Sequence, residues 1–177
     1  MKLSRIHIAN YRKLKNCNID FGYEKTIFVG ANNSGKTSAM QAIISFLKDK
    51  TRFKTQDFTL VNWNSMNEIF AKWMTDDSKI PSIAEIYEFL PKMDVWLDVD
   101  DCEAYLVRDF IPSFDWKGKV VGVRILYAPQ KIEELFACFK SEYDNSRKFD
   151  GEDGVMFSPK NIWDFLSKGS RLSKNFD

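Results

Sequence analysis

Lys25-Thr-Ile-Phe-Val-Gly-Ala-Asn-Asn-Ser-Gly-Lys-Thr37 is the stretch on which the fold turns. Gly30 and Gly35 stand either side of four residues, and Lys36 and Thr37 follow, which is the spacing of a phosphate-binding P-loop. Each residue type has a task. The glycines let the backbone curl, so that the N–H groups of Asn32, Asn33, Ser34 and Gly35 turn inward toward phosphate oxygens. Lys36 supplies a point charge for β- and γ-phosphates, and the Thr37 hydroxyl a ligand for Mg²⁺. A helix opening at Lys36 aims its positive end at the same anion, and carries Ser38 into reach.

The flanks agree with the motif. Thr26–Val29 is short, apolar and β-branched, and predicts a buried strand. Ala39, Ile43, Phe46 and Leu47 recur at helical spacing and predict a helix that ends near Lys48 or Asp49. Strand, loop and helix in that order imply an α/β fold that binds ATP with Mg²⁺ as cofactors.

Upstream, Leu3, Ile6 and Ile8 predict a first strand ending near Asn10, and Asn18–Phe21 a second, closed by a turn at Gly22-Tyr23. Downstream, 50–58 is polar and reads as a loop. Trp63, Met66, Ile69, Phe70 and Trp73 form a helical stripe, read as a packing face rather than a base-stacking platform. Ser82 and Glu85 read as a capping box for a short helix that Pro91 stops. Val95–Val99, Ala104–Val107 and Val120–Tyr127 predict strands of an antiparallel β region at about 93–129. A helical part fills about 130–168, with Ile132, Leu135, Phe136 and Phe139 on one face, 144–153 as a loop, and a tail after Gly169 that reads as frayed or cut off. The whole of 1–177 is expected to form one lobe.

Bulk properties exclude several classes. A net charge of +1 gives no global attraction to nucleic acid, so any DNA contact rests on a local patch or on another part of the assembly. Fifteen Phe among 177 residues supply a core. Cys17, Cys102 and Cys138 are too scattered for a zinc site and read as buried free thiols of a reducing, cytoplasmic protein. No apolar run reaches membrane-spanning length, so no membrane partner is expected. Asp98, Asp100, Asp101 and Glu103 lack ligand spacing and read as solvated acids; His7 reads as structural.

Met1-Lys-Leu-Ser-Arg-Ile-His-Ile-Ala-Asn-Tyr-Arg12 resembles the opening of the ABC-type ATPases of the RecF, SMC and OLD (overcoming-lysogenization-defect) group, where a strand ends in an Asn-aromatic-Arg triplet about twenty residues before the P-loop. The resemblance implies that Arg12 lies near the nucleotide phosphates. The segments 91–99, 111–116 and 122–129 look like the antiparallel β region of OLD-like ATPases, and Gln130 would then be the Q-loop glutamine that helps hold Mg²⁺. What the resemblance implies for function is ATP-driven dimerisation of two heads, switching DNA processing, DNA repair or antiviral defence, with DNA and a nuclease domain or subunit as partners.

The chain departs from that pattern. It has no Ser-Gly-Gly signature motif, and no apolar strand ending in Asp-Glu at the Walker B place; Asp100-Asp101 comes too early. The expectation is an N-terminal lobe of a longer protein, whether shortened, naturally brief or one subunit of a split ATPase. Alone it is expected to bind ATP without turnover, and its catalytic residues remain unassigned. The rival readings are an autonomous small P-loop phosphoryl-transfer enzyme, against which the two strands preceding the loop argue, and a non-catalytic assembly module.

Overall fold

Ile6 and Ile8 point one way along the first strand and Arg5 and His7 the other, so one sheet face must be covered and the other can meet water. A computed structural model describes residues 1–76, 79–111, 113, 116, 118–148 and 159–177. In it β1 (Lys2–Tyr11), β2 (Leu14–Asp20), β3 (Lys92–Asp98) and β4 (Val120–Leu126) form an antiparallel sheet of order β2-β1-β3-β4. The register aligns His7 with Asp94 and Asp94 with Arg124 on the outer face. Tyr11 pairs with Leu14, so Arg12 and Lys13 alone make the β1–β2 turn, with Arg12 at φ 51°.

The inner face is buried by helices: α1 (Lys36–Leu47), α2 (Leu60–Thr75), α3 (Ile83–Ile86), α4 (Ile132–Lys148), α5 (Ile162–Leu166) and α6 (Arg171–Asn175). Ile6, Ile8, Met93 and Val95 of the sheet share one core with Trp63, Met66, Phe70 and Trp73 of α2 and with Leu135, Phe139 and Phe165. The stripe on α2 is therefore a packing face. Aromatic rings bind the layers together: Phe53 stacks on Tyr127 at 3.9 Å, and Phe70 meets Phe139 edge-on at 5.9 Å. Each fully buried ring contributes roughly 2–3 kcal/mol relative to exposure. Among the described residues no helix is long and apolar enough to cross a membrane.

Several expectations need correction. Thr26–Val29 forms no strand and pairs with none among the described residues, and Ile27 and Val29 are exposed. β1 is flanked on both sides by β2 and β3, and the segment does not pair with the open outer edge of β2 either. Residues 104–107 lie within a 3₁₀ helix, Asp101–Phe110, and only Val107 of them is buried. Both edges of β3 are likewise occupied, by β1 and β4. The antiparallel sheet thus draws two strands from the N-terminus and two from the region 93–129.

Residues 50–58 hold two short 3₁₀ turns, Lys50–Arg52 and Thr55–Asp57. Ser82 does cap α3, accepting from the Ala84 N–H at 3.3 Å, and a 3₁₀ turn Tyr87–Phe89 carries the chain on to Pro91. The Glu85 carboxylate turns away from the cap to Lys79 and to the Trp73 indole N–H. The helix α4 runs on to Lys148; the remainder of the loop expected at 144–153 lies outside the described residues. The tail is not frayed: Phe176 is buried against Phe58 and Tyr127, and residues 128 and 177 exchange two backbone hydrogen bonds. Of the three thiols, Cys17 is half-buried, with its pKa pushed up by burial, whereas Cys102 and Cys138 are exposed.

Candidate phosphate-binding site

The predicted loop leads directly into α1, whose N-cap is Gly35 at φ 99°. No side chain caps this end, so its first-turn N–H groups are left for another acceptor. Gly35 needs its missing Cβ twice over. The left-handed conformation disfavours other residues, and a Cβ would stand 3.0 Å from Leu14 Cδ2. Asn33 is also left-handed, at φ 67°, which an Asn tolerates. A Cβ on Gly30 would stand 3.0 Å from Ser34 Oγ, so the loop closes tightly across its base.

The Lys36 ammonium is curled into this loop. It donates to the Gly30 carbonyl at 2.6 Å, to the Ala31 carbonyl at 2.7 Å and to Ser34 Oγ at 3.3 Å. Thr37 is exposed beside it, while Ser38 is buried on the inner side of α1. Two carbonyls and a hydroxyl around one ammonium, at an uncapped helix end, form an arrangement in which phosphate oxygens can replace them.

Two cavities flank α1. One, of about 410 Å³, lies between β2 and the segment 26–29 and reaches Ser34, Gly35 and Lys36. The other, of about 320 Å³, is lined by Tyr11, Arg12, Gln41, Arg52, Lys54 and Asp57. Cations dominate the second, with Asp57 as its one carboxylate. Burial raises the Tyr11 pKa, so its phenol stays protonated beside Ser45.

Arg12 is not drawn to the loop. Its Nε donates to Asp57 Oδ1 at 2.7 Å, its Nη1 donates to Gln41 Oε1 on α1, and its backbone N–H donates to the Asp57 carbonyl at 2.7 Å. The cation that does touch the loop is its neighbour Lys13, whose Nζ donates to both the carbonyl and the side-chain oxygen of Asn33. Sequence reasoning missed Lys13 and Asp57. For Lys13 the available signal was its place in the hairpin turn after the Asn10-Tyr11-Arg12 triplet; for Asp57 there was none. Gln130 is exposed, and its backbone N–H donates to the Asn175 carbonyl at 2.9 Å; it makes no hydrogen bond to 30–37 among the described residues. Nor do the described residues group three His, Cys, Asp or Glu side chains for a metal.

A family model described as "AAA ATPase domain" matches residues 1–166. Among curated proteins the chain is similar to the DNA replication and repair protein RecF of Natranaerobius thermophilus, 21% identical over 99% of this chain and 44% of that protein. RecF of Exiguobacterium is 31% identical over 37% of this chain and 18% of its own length. RecF of Leptospira interrogans is 31% identical over 49% and 23% respectively. The chain spans less than half the length of these relatives.

Proposed function

The chain belongs to the AAA ATPase domain family, and on that premise we propose that it is the ATP-binding lobe of an ABC-type ATPase, RecF/SMC-like or OLD-like, that acts in DNA processing. The observation that carries this reading is the Lys36 ammonium held by the carbonyls of Gly30 and Ala31 at the uncapped N-terminus of α1. The residues fit a nucleoside triphosphate. Asn33 and Gly35 take left-handed conformations in a tight loop, and Lys36 has neutral acceptors to exchange for anionic ones, which supports the reading.

In this reading the amides of Asn32, Asn33, Ser34, Gly35 and Lys36 hold the phosphates, Thr37 is the protein's ligand to Mg²⁺, and Ser38 extends the site along α1. Bound Mg²⁺ neutralises phosphate charge. Arg12 contributes through α1: its bonds to Asp57 and Gln41 pin the helix to the β1–β2 turn. Gln130 would serve as a water-mediated partner of the metal. Two such lobes close on ATP in a cytoplasmic assembly, and closure switches a nuclease or another DNA-directed activity, in repair or in antiviral defence.

A second reading, a lobe used for assembly rather than turnover, is favoured by the exposed Ile27 and Val29. Calorimetric titration of the chain with ATP and Mg²⁺, beside Lys36→Ala, tests the first. Binding by the wild type that falls at least about tenfold in the variant supports it, since a charged contact of this kind is worth roughly 1.5–3 kcal/mol. Equal binding by both, or binding by neither, defeats it.

A further inference from the structure

We propose that Lys13, and not Arg12, is the cation that the β1–β2 turn supplies to the phosphates; the inference rests on the reading of 30–38 as a nucleotide site. Three observations carry it. The first is charge. The guanidinium of Arg12 is compensated by the buried carboxylate of Asp57 and spends a further donor on Gln41. The Lys13 ammonium faces no carboxylate within ion-pair distance among the described residues. An incoming anion therefore meets an uncompensated charge at Lys13 and a neutralised pair at Arg12.

The second is position. The Lys13 stem passes over Gly35, with Cε 3.9 Å from where a Cβ would lie, and its ammonium ends on the carbonyl and side-chain oxygen of Asn33. Asn33 is one of the loop residues whose backbone would turn toward phosphate. Lys36 reaches the loop from its helix side, at Gly30 and Ala31, and Lys13 reaches it from the hairpin side. The loop is thus gripped by two ammonium groups that both rest on neutral oxygens. Phosphate oxygens make the stronger, charge-assisted partners and would draw both inward.

The third is rigidity. Lys13 stands in a two-residue turn between the paired Tyr11 and Leu14, and the Arg12 backbone N–H is tied to the Asp57 carbonyl. The turn is held in place, so the lysine pays little ordering entropy beyond its own side chain. Arg12 and Asp57 are positioning residues for Lys13 in this scheme.

The test compares wild type, Lys13→Met and Lys13→Arg by calorimetry against ATP–Mg²⁺, inorganic tripolyphosphate and AMP, with circular dichroism as a check on folding. Lys13→Met should bind ATP and tripolyphosphate about tenfold more weakly. AMP affinity should hardly change, and Lys13→Arg should recover most of the loss. As a check free of substitution, acetylation of Lys13 in the wild type, followed by mass spectrometry, should slow when tripolyphosphate is present. Equal ATP affinity for wild type and Lys13→Met, or acetylation of Lys13 that ignores tripolyphosphate, overturns the inference. Loss of tripolyphosphate binding in Lys13→Met, with no preference of the wild type for ATP, would sink the nucleotide reading and leave Lys13 as part of an anion site. A wild type that binds neither ligand overturns both.

Discussion

The Arg12 guanidinium and the Asp57 carboxylate meet at 2.7 Å, with Asp57 only 2% exposed, and so join the β1–β2 turn to the segment between α1 and α2. Asp57 also accepts the Lys54 N–H at 2.8 Å. Replacing Asp57 by Ala leaves a partly buried guanidinium and a backbone donor without their acceptor. Asp57→Ala is expected to lower stability by about 2 kcal/mol, the half-solvated arginine keeping the loss below that of a fully buried pair. Urea unfolding reads this as a lower midpoint at unchanged slope. A midpoint equal to wild type would show that the pair contributes nothing.

Gly35→Ala should damage both fold and site. At φ 99° an alanine is strained by about 1–2 kcal/mol, and its Cβ must push Leu14 aside. The expected result is a lower thermal midpoint together with weaker ATP binding, because the strain sits where the loop enters α1. A variant with wild-type stability and affinity would mean that the loop does not hold this conformation in solution.

On the outer sheet face, Asp94 accepts from Arg124 Nε at 2.5 Å and Nη2 at 2.8 Å, and faces His7 Nδ1 at 3.2 Å. Hydrogen bonding from Arg124, and then from His7, holds the Asp94 carboxyl below its usual range. A carboxylate with a depressed folded pKa stabilises the fold above its unfolded pKa of about 4, and that stabilisation fades as pH falls through the lower, folded value. Asp94→Asn should therefore be less stable than wild type at pH 7, by about 1 kcal/mol given the half-exposed Arg124, and the gap should close toward pH 2. Urea midpoints across that range decide it; a gap that does not shrink on acidification contradicts the assignment.

Ile27 and Val29 are 70% and 87% exposed on a segment with no strand partner among the described residues. Such a segment invites association. Ile27→Lys together with Val29→Lys should reduce self-association in sedimentation velocity. Folding stability should stay within about 0.5 kcal/mol, because neither side chain contributes to the core. A marked loss of stability would place these side chains inside the fold instead.

Features set by near neighbours in the chain were legible beforehand. The P-loop could be read because a glycine spacing and a following Lys-Thr constrain the backbone locally. The amphipathic repeat of Trp63, Met66, Phe70 and Trp73 marked α2, and the alternation of Ile6 and Ile8 marked β1, since periodicity records which side of an element meets the core. Pairing is a different matter. Thr26–Val29 and 104–107 have strand-like composition, but a strand exists only where it pairs, and neither segment pairs with the open outer edge of β2 or β4 among the described residues. The ordered tail depends on Phe176 finding Phe58, 118 residues back in the chain, and Tyr127, 49 residues back.

The site divides along the same line. The sequence by itself determined that residues 30–37 would turn tightly into a helix start, because glycines and the first turn of a helix act over a few bonds. Only the tertiary structure decided which cation of the hairpin faces that loop. Arg12 and Lys13 are adjacent in sequence, but the buried Asp57 captures one, and the path over Gly35 delivers the other to Asn33. That choice depends on charges and surfaces brought together from 20 to 45 residues away, and no local pattern encodes it.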